Sequence, residues 1–185
     1  MVAVLMPHPE PADAVSSPTP LAPRLTTLAG RTIGIVNNSW HCMDVVTGEL
    51  RRALYADYAV AEVVEVKISA AQTLPAPDLE RLAGACDAVV IGIGTCGSCS
   101  RWVLHDAMEL ERHKVPTVSL FTEVFEVLAR AARDLEGFPT LRLAILPHPL
   151  NPLPDDQIRA AANAAVSDIT GSLTEAAAAA GADVR

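Results

Sequence analysis

No run of apolar residues in this sequence comes near the roughly 20 that a membrane span requires, so no membrane is expected among its partners. Nor does it hold a cluster of Lys or Arg. With 14 basic against 22 acidic residues the net charge is −8, and nucleic acid is not expected as a partner, because a phosphate-tracking surface needs concentrated positive charge. The apolar start Met1–Pro7 is too short for a signal h-region and has no basic residue before it, which makes cytoplasmic the expected location. There are only four cysteines, two of them in a C-x-x-C. That usage suits catalytic or redox thiols in a reducing compartment better than a disulfide framework. A G-x-G-x-x-G turn is also missing. Gly92-Ile93-Gly94 is followed by Thr95-Cys96-Gly97, which puts thiols inside the turn, so neither a dinucleotide nor any other resident cofactor is expected, only an external thiol or reductant.

Half of the residues are apolar, and the length suits one domain with a well-buried core. Residues 1–25, with six prolines between Pro7 and Pro23, read as a disordered Pro-rich arm. Residues 26–185 read as a single α/β domain. Short β-branched or apolar runs at Thr32–Val36, Val60–Ile68, Ala88–Gly94, Thr117–Phe121 and Leu141–Leu146 predict five strands. Helical spacing predicts helices near Met43–Ala56, Asp78–Ala85, Ser100–His113, Glu123–Leu135 and from Asp155 to at least Leu173. Glu62 and Glu65 place the second strand toward a sheet edge. Strict alternation with no tight β-hairpin predicts a three-layer αβα domain around a five-stranded parallel sheet. Its expected order is the flavodoxin-like, Rossmann-like 2-1-3-4-5.

In such a sheet, ligands bind beyond the carboxyl ends of the strands, where the strand order reverses. The loops at that edge hold the residues that bear chemistry. The first supplies Asn37, Asn38, His41 and Cys42, and the third Thr95, Cys96, Gly97, Ser98 and Cys99. The fourth contributes Thr122 and Glu123, and the fifth His148 and Asn151. Cys96 precedes a helix whose first N–H groups carry partial positive charge, a setting that favours thiolate over thiol. Cys96 is therefore expected to be the exposed nucleophile, Cys99 the thiol that resolves its adduct, and His148 an acid or base held between two prolines. Thr95, Gly97, Ser98, Asn37, Asn38, His41, Cys42, Thr122, Glu123 and Asn151 are the expected substrate-binding set. Cys42 also reads as a small residue opening a helix, and Cys86 as a core hydrophobe. A closed zinc site would need Cys42, His41 or His148 beside the C-x-x-C, and no metal is expected. His105 and His113 read as a surface ion-pair residue and a helix-end cation.

Gly94-Thr95-Cys96-Gly97-Ser98-Cys99, Val115-Pro116-Thr117-Val118, Phe121-Thr122-Glu123 and Leu146-Pro147-His148-Pro149-Leu150 together resemble the UGSC family, named for a selenocysteine-Gly-Ser-Cys motif. The same block is similar to the selenoprotein B subunit of glycine, sarcosine and betaine reductases. The resemblance puts Cys96 at the selenocysteine position and Cys99 at the partner cysteine. It implies attack on an activated substrate carbon with loss of a leaving group. Two departures stand out: sulfur replaces selenium, and the reductases' next cysteine falls at Trp102.

The expected function is therefore a cysteine-dependent, oxidoreductase-like enzyme. Cys96 forms a covalent adduct with a small electrophilic substrate, and Cys99 with an external thiol or a redox partner protein resolves it. Two alternatives stand beside it. One is a cysteine-nucleophile hydrolase, lyase or isomerase without net redox change, and the other a non-catalytic thiol or metal-binding subunit of a larger complex. A homo-oligomer, most simply a dimer, is expected.

Overall fold

A computed structural model describes residues 18–174. The five strands are β1 (Thr32–Asn37), β2 (Glu62–Lys67), β3 (Ala88–Gly94), β4 (Thr117–Thr122) and β5 (Leu143–Leu146). They alternate with α1 (His41–Asp57), α2 (Ala76–Ala85), α3 (Gly97–Arg112), α4 (Glu126–Leu135) and α5 (Asp155–Leu173), and a 3-10 turn, Glu123–Phe125, leads into α4. All strand pairs are parallel, and the order β2-β1-β3-β4-β5 is the expected one. β2 is an edge strand, as Glu62 and Glu65 suggested.

Two apolar layers hold the sheet. Ile33, Ile35, Val90 and Leu120 pack with Met43, Val46 and Leu50 of α1 and Ile158 and Ile169 of α5. On the other face Val36, Val89, Ile91 and Phe121 pack with Leu82 of α2, Val103 and Leu104 of α3 and Ala129 of α4. β3 is buried along its whole length, as a central parallel strand covered on both faces must be, and this explains its unbroken apolar run. Gly94, at its end, leaves room for the chain to turn. A Cβ there would lie 2.2 Å from a Phe121 ring carbon and 2.9 Å from Ser100 Oγ.

The expected arm of residues 1–25 needs correction over the part described here; residues 1–17, and the Ala-rich stretch beyond residue 174, lie outside the described residues. Residues 18–25 are bound to the domain. Thr19 N donates to Gly137 O at 2.8 Å, and Leu25 bridges to Thr174. Ala22 N and Arg24 Nη2 both donate to the Glu111 carboxylate, each at 2.7 Å. Glu111 is buried at the end of α3, and Thr117 N and Thr117 Oγ1 donate to it as well. A buried carboxylate must be paired, and this one recruits the polar groups of the arm.

Candidate functional site

α3 begins at Gly97, three residues before the apolar periodicity suggests, because Cys96 is its N-cap. Cys96 has extended backbone angles, and its Sγ accepts the N–H of Cys99 at 3.2 Å. Ser100 Oγ donates to the Cys96 carbonyl at 2.7 Å and closes the first turn from the other side. The periodicity does not reveal this role of Ser100; a serine four residues after the cap is the one signal for it. Cys96 and Cys99 are joined in a disulfide, with Cα atoms 5.3 Å apart. A helical turn puts residues three apart on one face, so the C-x-x-C spacing brings the sulfurs together. Thr95 and Cys96 are half-buried, Gly97 and Ser98 are exposed, and Cys99 is buried. Cys96 is thus the outward sulfur and Cys99 the inward one. Ser98 Oγ lies 3.5 Å from Cys96 Sγ.

The loop after β5 adds His148, half-buried, with a cis peptide bond to Pro149. Its Nδ1 lies 3.0 Å from Thr122 Oγ1, its backbone N–H donates to Glu123 Oε2 at 3.3 Å, and the Phe125 ring meets the imidazole edge-on. The Thr122 hydroxyl proton is donated to Gly94 O at 3.4 Å. The Thr122 oxygen is then left to accept from an Nδ1–H of the imidazole. Thr122 is fully buried, so it stands behind His148 rather than facing a substrate.

Several residues of the expected substrate-binding set are likewise engaged inside the protein. Asn38 is buried, and its amide makes a reciprocal pair with Ile93: Nδ2 donates to Ile93 O at 3.0 Å, and Oδ1 accepts from Ile93 N at 2.9 Å. Asn37 is buried too. It donates to Asp44 and Glu65 and accepts from Ser39 N. Lys67 Nζ, 2.6 Å from Asp44, together with Asn37 holds the Asp44 carboxyl below its usual range. Asn151 Oδ1 accepts the backbone N–H of Cys42 at 3.1 Å and ties the β5–α5 loop to the start of α1. Cys42 lies fully in the core, and burial pushes its thiol up to about 11; it is a small core residue and not a site thiol. Cys86 behaves as expected, buried and pushed up to about 11 by the same cause. His41 is exposed and its Nε2 lies 2.8 Å from Asp155 Oδ1, which turns it toward α5.

The groups at the surface of the β3, β4 and β5 ends are therefore Thr95, Cys96, Gly97, Ser98, Glu123 and His148. Asn37, Asn38 and Thr122 are buried behind the sheet edge, and Asn151 is half-buried with its Oδ1 held by Cys42 N. Among the described residues no three His, Cys, Asp or Glu side chains gather into a group able to hold a metal ion.

Fold and site together define a flavodoxin-like α/β protein carrying a C-x-x-C disulfide at the junction of its central strand and the following helix. The chain belongs to the UGSC family, whose model matches residues 3–175. A search of curated proteins finds no sequence match. Among solved structures the chain is similar to a flavo di-iron protein mutant from Thermotoga maritima, with 14% identity and a TM-score of 0.48 over 78% of this chain. It spans 36% of that protein's length. It is also similar to a diflavin flavoprotein from Nostoc sp., with 14% identity and a TM-score of 0.42, covering 82% of this chain and 99% of that one.

Proposed function

We propose that this protein is a thiol-dependent enzyme in which reduced Cys96 attacks a small electrophilic substrate and Cys99 resolves the adduct. One observation carries the reading: the outward sulfur caps α3, accepts a helix N–H, and lies within bonding reach of an inward partner. The similarity of the Gly94–Cys99 and Leu146–Leu150 motifs to selenium-dependent reductase subunits favours the redox form of this chemistry.

For a substrate X–Y the cycle balances as follows. The Cys96 thiolate forms an S–X bond, and Y departs with the electron pair of the X–Y bond. The Cys99 thiolate then attacks Cys96 Sγ; the S–X bond breaks toward X, which takes up a proton, and the disulfide remains. The sum is X–Y plus two thiols giving X–H, Y–H and a disulfide, a two-electron reduction. An external dithiol or a redox partner protein restores the thiols. X must tolerate negative charge, as a carbon beside a carbonyl does. His148, with its proton on Nδ1, offers Nε2 to accept the Cys96 proton and return it to X. The N–H groups at the start of α3, with Thr95 and Ser98, offer donors for a substrate carboxylate or the departing anion. We place the reaction in the cytoplasm, where the reducing poise keeps such thiols available. No helix among the described residues is long and apolar enough to cross a membrane.

The test is intact-mass analysis of reduced Cys99→Ser protein incubated with cell extract, alongside alkylation of the reduced wild type at neutral pH. The expected results are a stable added mass on Cys96, lost turnover, and selective alkylation of Cys96. Full turnover by Cys99→Ser would assign the reaction to a hydrolytic or isomerising route. A Cys96 that resists alkylation near neutral pH would remove the thiolate and the enzyme reading with it.

A further inference from the structure

We propose that the exposed face of α4 is where a second copy of this chain docks, α4 against α4, antiparallel about a two-fold axis near Ala131. Of the five large apolar side chains exposed among the described residues, four lie on this one short segment: Val124, Val127, Leu128 and Leu135, at 61%, 79%, 47% and 89% exposure. Val127, Ala131 and Leu135 follow at four-residue spacing, with Val124 and Leu128 beside them, so they form one stripe along the helix. The adjoining side of the helix is already occupied, since Phe125, Ala129 and Ala132 pack into the core, while Glu126 and Arg133 lie on the far side from the stripe. The apolar arc of α4 is therefore wider than the part the core covers, and the stripe is what is left over for a partner.

The charges say what covers it. The chain carries −8, so two copies repel across most of their surfaces. α4 is an exception, with Glu126 and Asp134 balanced by Arg130 and Arg133. About a two-fold at Ala131, Val127 of one copy lies opposite Leu135 of the other, and the two Ala131 methyls let the helices come close. Arg130 and Asp134 flank the same edge of the stripe. In this pairing Asp134 of the second copy lies about two residues, roughly 3 Å along the axis, from the point facing Arg130. Arg130 already spends Nε and Nη2 on Glu126 of its own chain, and a guanidinium has donors to spare for a second carboxylate. The face is thus self-complementary in its apolar spacing and its charge, which is what an isologous interface requires. It begins beside Glu123, which holds the His148 backbone N–H, so assembly and the site share a border.

The experiment uses the full chain. Sedimentation at about 100 µM, where even a micromolar Kd leaves mostly dimer, is expected to give a dimer. Ala131→Cys is expected to form a reducible covalent dimer on mild oxidation, since Cys42 and Cys86 are buried and Cys96 and Cys99 are paired with each other. Val127→Glu combined with Leu135→Glu is expected to give a folded monomer whose melting temperature no longer depends on protein concentration, both positions being exposed in the single chain. Arg130→Asp is expected to raise the dimer Kd by up to about 30-fold, as two exposed ion pairs allow, and adding Asp134→Arg to restore it. A wild-type monomer at that concentration, a dimer that survives the double glutamate variant, or an Ala131→Cys protein that never cross-links would each overturn the proposal and leave the stripe to a different occupant.

Discussion

Asn38→Ala separates the two roles open to a polar residue at the end of β1. The Asn38 side chain is buried, and its two hydrogen bonds to Ile93 hold β3 two residues before Thr95. Removing the amide leaves a backbone N–H and a backbone C=O of Ile93 without side-chain partners in the interior. Each orphaned buried group costs about 1–3 kcal/mol, so the pair amounts to about 2–6 kcal/mol. For a domain of this size, 1 kcal/mol moves the melting temperature by about 2–4 °C, which predicts a fall of about 4–24 °C. Urea denaturation and thermal melts of oxidised protein read this directly. Alkylation of the reduced protein reads whether Cys96 stays in place, and its rate is expected to change because the strand that aims it has lost its tie. A substrate-binding asparagine behaves the opposite way, with unchanged stability and lost adduct formation. A stability change below about 1 kcal/mol with an unaltered alkylation rate would refute the assignment of Asn38 as a strut.

Other perturbations test the same structure elsewhere. Thr122→Val removes the acceptor that keeps the His148 proton on Nδ1, and is expected to shift the tautomer ratio seen by nitrogen NMR and the pH profile of Cys96 alkylation; superimposable profiles would count against the relay. Glu111→Gln leaves the Arg24 guanidinium, 7% exposed, without its counter-charge, so a loss of about 3–5 kcal/mol in urea unfolding and faster proteolysis within residues 18–25 are expected. Asp106 is buried in α3 and accepts from Leu74 N; burial is the main cause of its raised pKa, and hydrogen bonds from Thr73 and Leu74 oppose the rise. A carboxyl raised in the folded state contributes most below its unfolded value of about 3.9 and loses that contribution as pH rises through the folded value. The melting temperature of Asp106→Asn relative to wild type should therefore climb as pH rises from about 3.9, and a difference that stays flat with pH would contradict the burial argument.

The strand order was legible because it follows from patterns that survive in one dimension: short apolar runs for strands covered on both faces, helical spacing between them, and acidic residues in the edge strand β2. The outward and inward sulfurs of the C-x-x-C were legible for a similar reason, since a glycine-ended strand followed by a helix leaves little choice about where residues 96 and 99 point. What stayed hidden is how the remaining polar residues are spent. An asparagine after a strand reads the same whether its amide meets a substrate or a neighbouring backbone. Only the pairing of β1 with β3, fifty-five positions away in sequence for Asn38 and Ile93, decides it. The arm misled in the other direction. Its prolines argue against regular structure, yet it is bound by Glu111, a carboxylate on the buried face of α3 seven residues after Leu104 and four after Ala107, and the pattern that marks the position as buried does not say what pairs with its charge. Cys42 was closer to being readable, because it lies four residues before Val46 on the face that packs into the core. These cases share a cause. The mouth of the site is built from local signals, whereas its backing of Asn37, Asn38 and Thr122 is built from hydrogen bonds, most of them long-range, that consume the polar groups a sequence would assign to a ligand. On the function proposed above, selectivity is then expected to come from what reacts with sulfur more than from a dense net of polar contacts, because the side chains of Asn37, Asn38 and Thr122 are already spent within the protein.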